Sequence, residues 1–361
     1  MSTQYQATKS KVKLVENLKE AGHPLIELYG PEGGSALFLP FGMRILGLFD
    51  SNERENFFWV NPQLMDLTRA KAFFQTLGWK NSGGGRTWIA PEVDLFIKDL
   101  NDPWKSYEVP TSLDPGNYSV KQCGSAIQME NRAQVTVHRI KRKCKVDLKK
   151  MIRMIANPLR YEEKVKKLGI QLQYVGYEEI TILRLLCDPQ PGVRLGIWSL
   201  IQVPPYGEVI IPTTDRSQPH NYFGEPARDH LQVGSNFIRL VIDGETKYKV
   251  GLRATSVIGR IGYLRAAEDG RWTVLIRNFF VDPSGEYVDV PLDDQNDLGY
   301  AIQCYNDDGK LGNFGEIEYH APAIGDRTGI TVYSDQSQVW AFRGEKESIN
   351  KVCQRLLGVH I

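Results

Sequence analysis

Two stretches of the 361-residue chain carry side chains whose types and spacing could do chemistry. The later one is Gly312-Asn313-Phe314-Gly315-Glu316-Ile317-Glu318-Tyr319-His320-Ala321-Pro322. In a strand, alternate residues share a face. Glu316, Glu318 and His320 then line one side, with Ile317 and Tyr319 on the other. Two carboxylates and an imidazole on one face supply a general base and a general acid. Neighbouring carboxylates push their titrations apart, which sorts the two roles. The plainer alternative is the wet face of an antiparallel sheet. No second His or Asp stands nearby at ligand spacing, so no metal site is expected.

The earlier stretch is Asn81-Ser82-Gly83-Gly84-Gly85-Arg86-Thr87-Trp88-Ile89-Ala90-Pro91-Glu92. Three successive glycines allow positive φ and close backbone approach. Arg86 offers a planar fork of donors, Trp88 an aromatic face and Glu92 a pair of acceptors, a set suited to a polyhydroxylated ligand such as a sugar. The alternative is a glycine hairpin leading into a strand whose Arg and Glu pair with each other. Arg277 shares a strand face with Leu275, Phe279 and Val281, so it is either paired in the core or reaching into a pocket. The acidic group Asp293, Asp294, Asp297, Asp307 and Asp308 lacks calcium-loop spacing and reads as a solvated loop.

Short strands at the spacing of a sandwich position these groups. They include Gln134–Lys141, Glu179–Leu186, Gly196–Val203, Glu208–Pro212, Phe237–Ile242, Tyr248–Leu252, Trp272–Val281 and Tyr300–Tyr305. Residues 195–212 read as strand, tight turn, strand. Helical spacing marks residues 8–22, 62–77 and 346–357, while 145–168 is ambiguous. The basic run over 139–150 lacks the interleaved aromatics of a single-strand nucleic-acid patch and reads as a lysine-protected sheet edge. The expected architecture is one all-β, mainly antiparallel domain over residues 1–361, with a few peripheral helices.

A net charge of +1 sets up no global field to recruit nucleic acid or a membrane surface. No run approaches the roughly 18 apolar residues of a membrane span. Five scattered cysteines without C-x-x-C spacing point to a reducing, cytoplasmic setting. The N-terminus has no apolar signal core, although a leader removed earlier would leave no trace here. There is no phosphate loop, nucleophile elbow, H-E-x-x-H or G-x-G-x-x-G fingerprint, so no cofactor is expected. The oligomeric state has no sequence signature.

The Gly-Gly-x-Arg-Thr-Trp-x-Ala-Pro-Glu segment resembles uncharacterised branches of the galactose mutarotase-like (aldose 1-epimerase-like) superfamily. So do Leu-Gly-Ile-Trp-Ser-Leu (195–200), Val-Ile-Ile-Pro (209–212) and Gly-Glu-Ile-Glu-Tyr-His-Ala-Pro (315–322). The likeness covers roughly residues 25–343. It implies a β-supersandwich whose concave face binds carbohydrate. By position, the family's late glutamate base corresponds to Glu318, then Glu316, and its early arginine to Arg86. The family's mid-chain histidine acid has no counterpart around Trp198–Tyr206. His220, in Pro219-His220-Asn221-Tyr222-Phe223, has similar neighbours in another order, and His320 is the other substitute. The implied function is a carbohydrate-active protein, as an epimerase-like isomerase, with Arg86 and Glu92 holding hydroxyls or a carboxylate and Trp88 stacking on the sugar. The alternatives are a non-catalytic carbohydrate-binding module and a polysaccharide lyase-like protein, the last drawing on Arg86 or Arg277 for uronate charge.

Overall fold

The computed structural model describes residues 2–162 and 172–360. Its described strands form two ten-stranded sheets with antiparallel pairing throughout. The centre of the first sheet runs, in order of pairing, Gly85–Ala90, Arg194–Val203, Gly315–His320, Ile302–Asn306 and Tyr248–Leu252. His220–Phe223 closes one edge, and the meander Ile26–Tyr29, Ser35–Leu39, Arg44–Phe49 closes the other. Period-two alternation sends Ile317, Tyr319, Cys304, Tyr248 and Val250 inward. There they meet Ile238, Tyr263, Leu275 and Val339 of the second sheet in the main core. The chain is an all-β sandwich of two large sheets, as the alternating short strands predict.

Polar ties cross that core. Arg277, on the second-sheet strand Trp272–Phe279, donates through Nη1 to the carbonyls of Ser199 (3.0 Å) and Ile317 (3.1 Å) and through Nη2 to Ser199 Oγ (2.6 Å). Its guanidinium lies 4.5 Å from the Tyr319 ring centre. Beside it, Lys150 pairs with Glu179 at 2.9 Å and the Tyr319 hydroxyl donates to Asp335 at 2.5 Å. Burial pushes the Asp335 carboxyl up to about 6. Arg277 therefore binds the sheets together and does not line the cavity over the first sheet. Of its two sequence readings, the core pairing is the one observed.

Two readings change. The basic run is not a sheet edge: Arg142–Met154 lies between Ala126–Val137 and Gln173–Leu185, paired on both sides. Lysines on the wet face of an inner strand give the same one-sided pattern as edge lysines, and Lys150 turns inward to meet Glu179. The strand–turn–strand reading of 195–212 holds, and the two strands belong to different sheets, the turn between them, with Tyr206 at φ 65°, carrying the chain across. Asp307 is not solvated but buried, its Oδ2 accepting the backbone N–H groups of Gly309, Leu311, Gly312 and Asn313 at 2.9–3.2 Å.

The helices fall near the expected positions. The first spans Ser2–Glu20, and the last matches 346–357. The 62–77 segment divides into a 3-10 turn, Pro62–Met65, and a helix, Leu67–Gln75, because the Asp66 side chain caps the second by accepting the Arg69 N–H at 2.9 Å. Of the ambiguous region, 163–168 lies outside the described residues.

Candidate functional site

The outward side of the first sheet carries Arg86, Trp88, Trp198, Gln202, Lys249, Tyr305, Glu316 and Glu318, the residues that alternate with its core-facing set. Above them a cavity of about 590 Å³ opens, roofed by the segment that follows Pro91. Glu318 is fully buried on its floor. Its Oε2 accepts the Trp198 indole N–H at 2.7 Å and sits 3.5 Å from Lys249 Nζ, while Oε1 has no partner. Burial pushes this carboxyl up to about 7; Lys249 opposes the shift, and Glu316 and Glu92 add to it. Burial alone would lower the Lys249 ammonium, but Glu318 and Glu92 hold it above its ordinary value.

Glu316 is paired instead. Arg86 Nη2 stands 2.7 Å from its Oε1, which also accepts from Gln202 Nε2 at 3.0 Å. The other two guanidinium nitrogens of Arg86 are buried without acceptors. Environment thus separates the carboxylates: Glu316 is tied to a cation, and Glu318 is poised near neutrality with a free oxygen. Glu92, at the start of the roof, accepts the Tyr107 hydroxyl at 2.8 Å and approaches Lys249 at 3.3 Å. Asp289 anchors it by accepting the Glu92 backbone N–H at 2.7 Å.

Aromatic rings wall the space. Trp88 does so from behind, because Arg86 covers its ring at 4.1 Å and its indole donates to Asp114 at 3.1 Å. Asp114 also accepts from the Trp79 indole and from Arg44, which fixes the orientation of both tryptophans. Lys249 Nζ lies 4.9 Å from the centre of the Trp198 ring, and His320, its cross-strand neighbour, stacks on the same ring at 5.6 Å.

The cavity thus unites Glu316, Glu318, Arg86, Trp88 and Glu92 of the sequence candidates. It leaves out His320, His220 and Arg277. The His320 imidazole is buried with both nitrogens unpartnered, 3.9 Å from Asp289, and burial with Lys249 nearby holds it well below its ordinary value. It shares the strand face as expected, but it stacks on Trp198 and does not line the cavity. His220 stacks on Tyr300 at 5.1 Å and is not among the lining residues. Sequence reasoning did not single out Lys249, Tyr107 or Trp79. Lys249 reaches Glu318 only through the registers Lys249↔Tyr305 and Gln303↔Glu318, which no local pattern reveals. Among the described residues, no cluster of His, Cys, Asp and Glu could hold a metal ion.

Residues 37–361 match a family described as "Family of unknown function (DUF6786)". No curated protein matches the chain. Among solved structures, a candidate aldose 1-epimerase from Escherichia coli K12 is similar at TM-score 0.48 and 7% identity, over 90% of this chain and 100% of that one. The GalM/aldose epimerase homologue from C. elegans is similar at 0.39 and 12%, over 90% and 100%. The galactose 1-epimerase from Lactobacillus acidophilus NCFM is similar at 0.38 and 7%, over 89% and 94%.

Proposed function

The chain belongs to the family of unknown function DUF6786, and we propose, from the chemistry of its cavity, that it binds carbohydrate there and uses Glu318 as a general base on the sugar. One observation carries the reading: a fully buried carboxyl, held near pH 7 with an unpartnered oxygen, on the floor of an aromatic-walled cavity. A group that must take up and return a proton works best when its pKa lies near the working pH. Unpartnered donors on Arg86 and an unpartnered acceptor on Glu318 match the mixed donors and acceptors of sugar hydroxyls.

For an epimerase-like reaction, Glu318 Oε1 removes the anomeric hydroxyl proton and a second group protonates the ring oxygen as the ring C–O bond breaks. The reclosed ring carries either anomer. No histidine lines the cavity among the described residues, so Lys249 is the cation placed to stabilise negative charge developing on the ring oxygen. That same lack of an imidazole favours a second reading, a binding protein without turnover. A lyase is the weaker alternative, because burial raises the Tyr107 and Tyr222 hydroxyls well above their ordinary value and so disfavours either as the base.

Exchange NMR on free aldoses separates the two main readings: turnover speeds exchange between anomers, and a binding module leaves it at the uncatalysed rate. If Glu318 is the base, the exchange rate rises about tenfold per pH unit below its titration and levels off above about 7. A rate independent of pH between 5 and 8 would remove Glu318 from the role. Lys249→Met takes away the cation that lowers the Glu318 titration. The rising limb is then expected to move upward by about one unit or more, read from the same pH profile.

A further inference from the structure

The cavity is larger than one sugar ring requires. At about 590 Å³ it lies in the range that encloses ligands of drug size, roughly twice the twelve non-hydrogen atoms of a hexose or more. Its outer end has its own construction. Trp104, on the short helix Pro103–Ser106 in the roof, is 60% exposed and meets Phe223 edge-on, with ring centres 5.9 Å apart and planes at 89°. Lys247 Nζ closes this corner, 5.3 Å from the Trp104 ring centre and 5.4 Å from that of Phe223. All three line the same cavity as Glu318.

The corner is tied to the floor through the backbone of one strand pair. Phe223 is the register partner of Lys249, and Lys247 stands two residues before Lys249, just ahead of the strand Tyr248–Leu252. Two residues of chain span at most about 7 Å, a step on the scale of one sugar ring with its linkage. Phe223 also touches Tyr305 at 6.2 Å, so the aromatic lining runs unbroken from mouth to floor. An exposed indole beside an ammonium suits an amphipathic ring, with C–H faces for the aromatic surface and hydroxyls for the cation.

We infer that Trp104, Phe223 and Lys247 form a second subsite that takes the next ring of a glycan, so that the ligand is a disaccharide or longer chain whose terminal ring sits over Glu318. This rests on the carbohydrate reading of the cavity. It is independent of whether Glu318 turns the sugar over.

The test is a fluorescence or calorimetric titration of the full chain with gluco-, galacto-, manno- and xylo-configured sugars of one to four units. Within the configuration that binds, affinity is expected to rise about tenfold or more from one unit to two. Trp104→Ala is expected to erase that gain while leaving the monosaccharide affinity unchanged. Trp104 is exposed, so the variant keeps the fold, and Lys247→Ala provides a second variant with a smaller loss in the same direction. Equal affinity for one and two units, or a gain that survives Trp104→Ala, overturns the second subsite and leaves the carbohydrate reading standing. Failure of every sugar to bind overturns both.

Discussion

Glu318→Gln is expected to slow catalysed anomer exchange by about 10²–10⁴-fold, the usual contribution of a positioned base, while changing sugar affinity by no more than a few fold. The reason is that Glu318 meets its protein partners through one oxygen and leaves the other free. Gln keeps the shape and still accepts the Trp198 indole N–H, but it cannot take a proton at the oxygen that has no partner. Glu316→Gln is expected to behave differently. It strips Arg86 of its carboxylate partner at 2.7 Å, so the loss appears as weakened binding and reduced stability rather than as a pure loss of rate. Exchange spectroscopy for rate and saturation transfer for binding, run on both variants, separate the roles. Equal rate losses in both, or an unchanged rate in Glu318→Gln, would sink the assignment.

The Glu318 titration also makes a stability statement. A carboxyl raised from 4.5 to about 7 binds its proton more tightly in the folded chain. Its contribution is present below the unfolded value and is lost as pH rises through about 7. The Tm of Glu318→Gln relative to the parent should therefore climb between pH 5 and pH 8. A flat difference would mean that Glu318 does not titrate in that window.

Arg277→Leu carries the largest expected stability loss, about 3–5 kcal/mol, for two reasons that act together. It leaves the Ser199 and Ile317 carbonyls and the Ser199 hydroxyl without their donor in the middle of the sandwich. It also removes a positive charge that lowers the neighbouring Asp335 carboxyl. Urea unfolding measures the loss. Because Arg277 does not line the cavity, the folded fraction should bind sugar with the parent's affinity. A small stability change with a large affinity change would return Arg277 to the site.

How much was legible depends on range. The grouping of Glu316, Glu318 and His320 on one face follows from strand alternation, a local rule, and the registers bear out the alternation. The rule does not say what lies over that face, so it could not tell that Trp198 lines the cavity while His320, stacked on it, does not. Arg86 and Glu92 stood out by type beside glycines, yet their partners are distant in sequence: Glu316 for one, Tyr107 and Lys249 for the other. The glycines have a specific reason. Gly83 and Gly84 take φ of 96° and 74°, and a Cβ at either would fall within 2.4 Å of a backbone carbonyl, so this crossing admits only glycine and sets Arg86 at the head of its strand. Turn chemistry at 204–207 marked a reversal but not a change of sheet, because both outcomes need the same residues.

The central claim is that the cavity over Glu318 is a carbohydrate site, and saturation-transfer NMR tests it most directly. The purified chain is mixed with a panel of free aldoses, uronic acids and short oligosaccharides, and the spectra are repeated with Trp198→Ala, which removes the ring that holds Glu318. The account predicts transfer to at least one sugar in the parent and its loss or marked weakening in the variant. Transfer to none of them, or transfer that Trp198→Ala leaves unchanged, would contradict it.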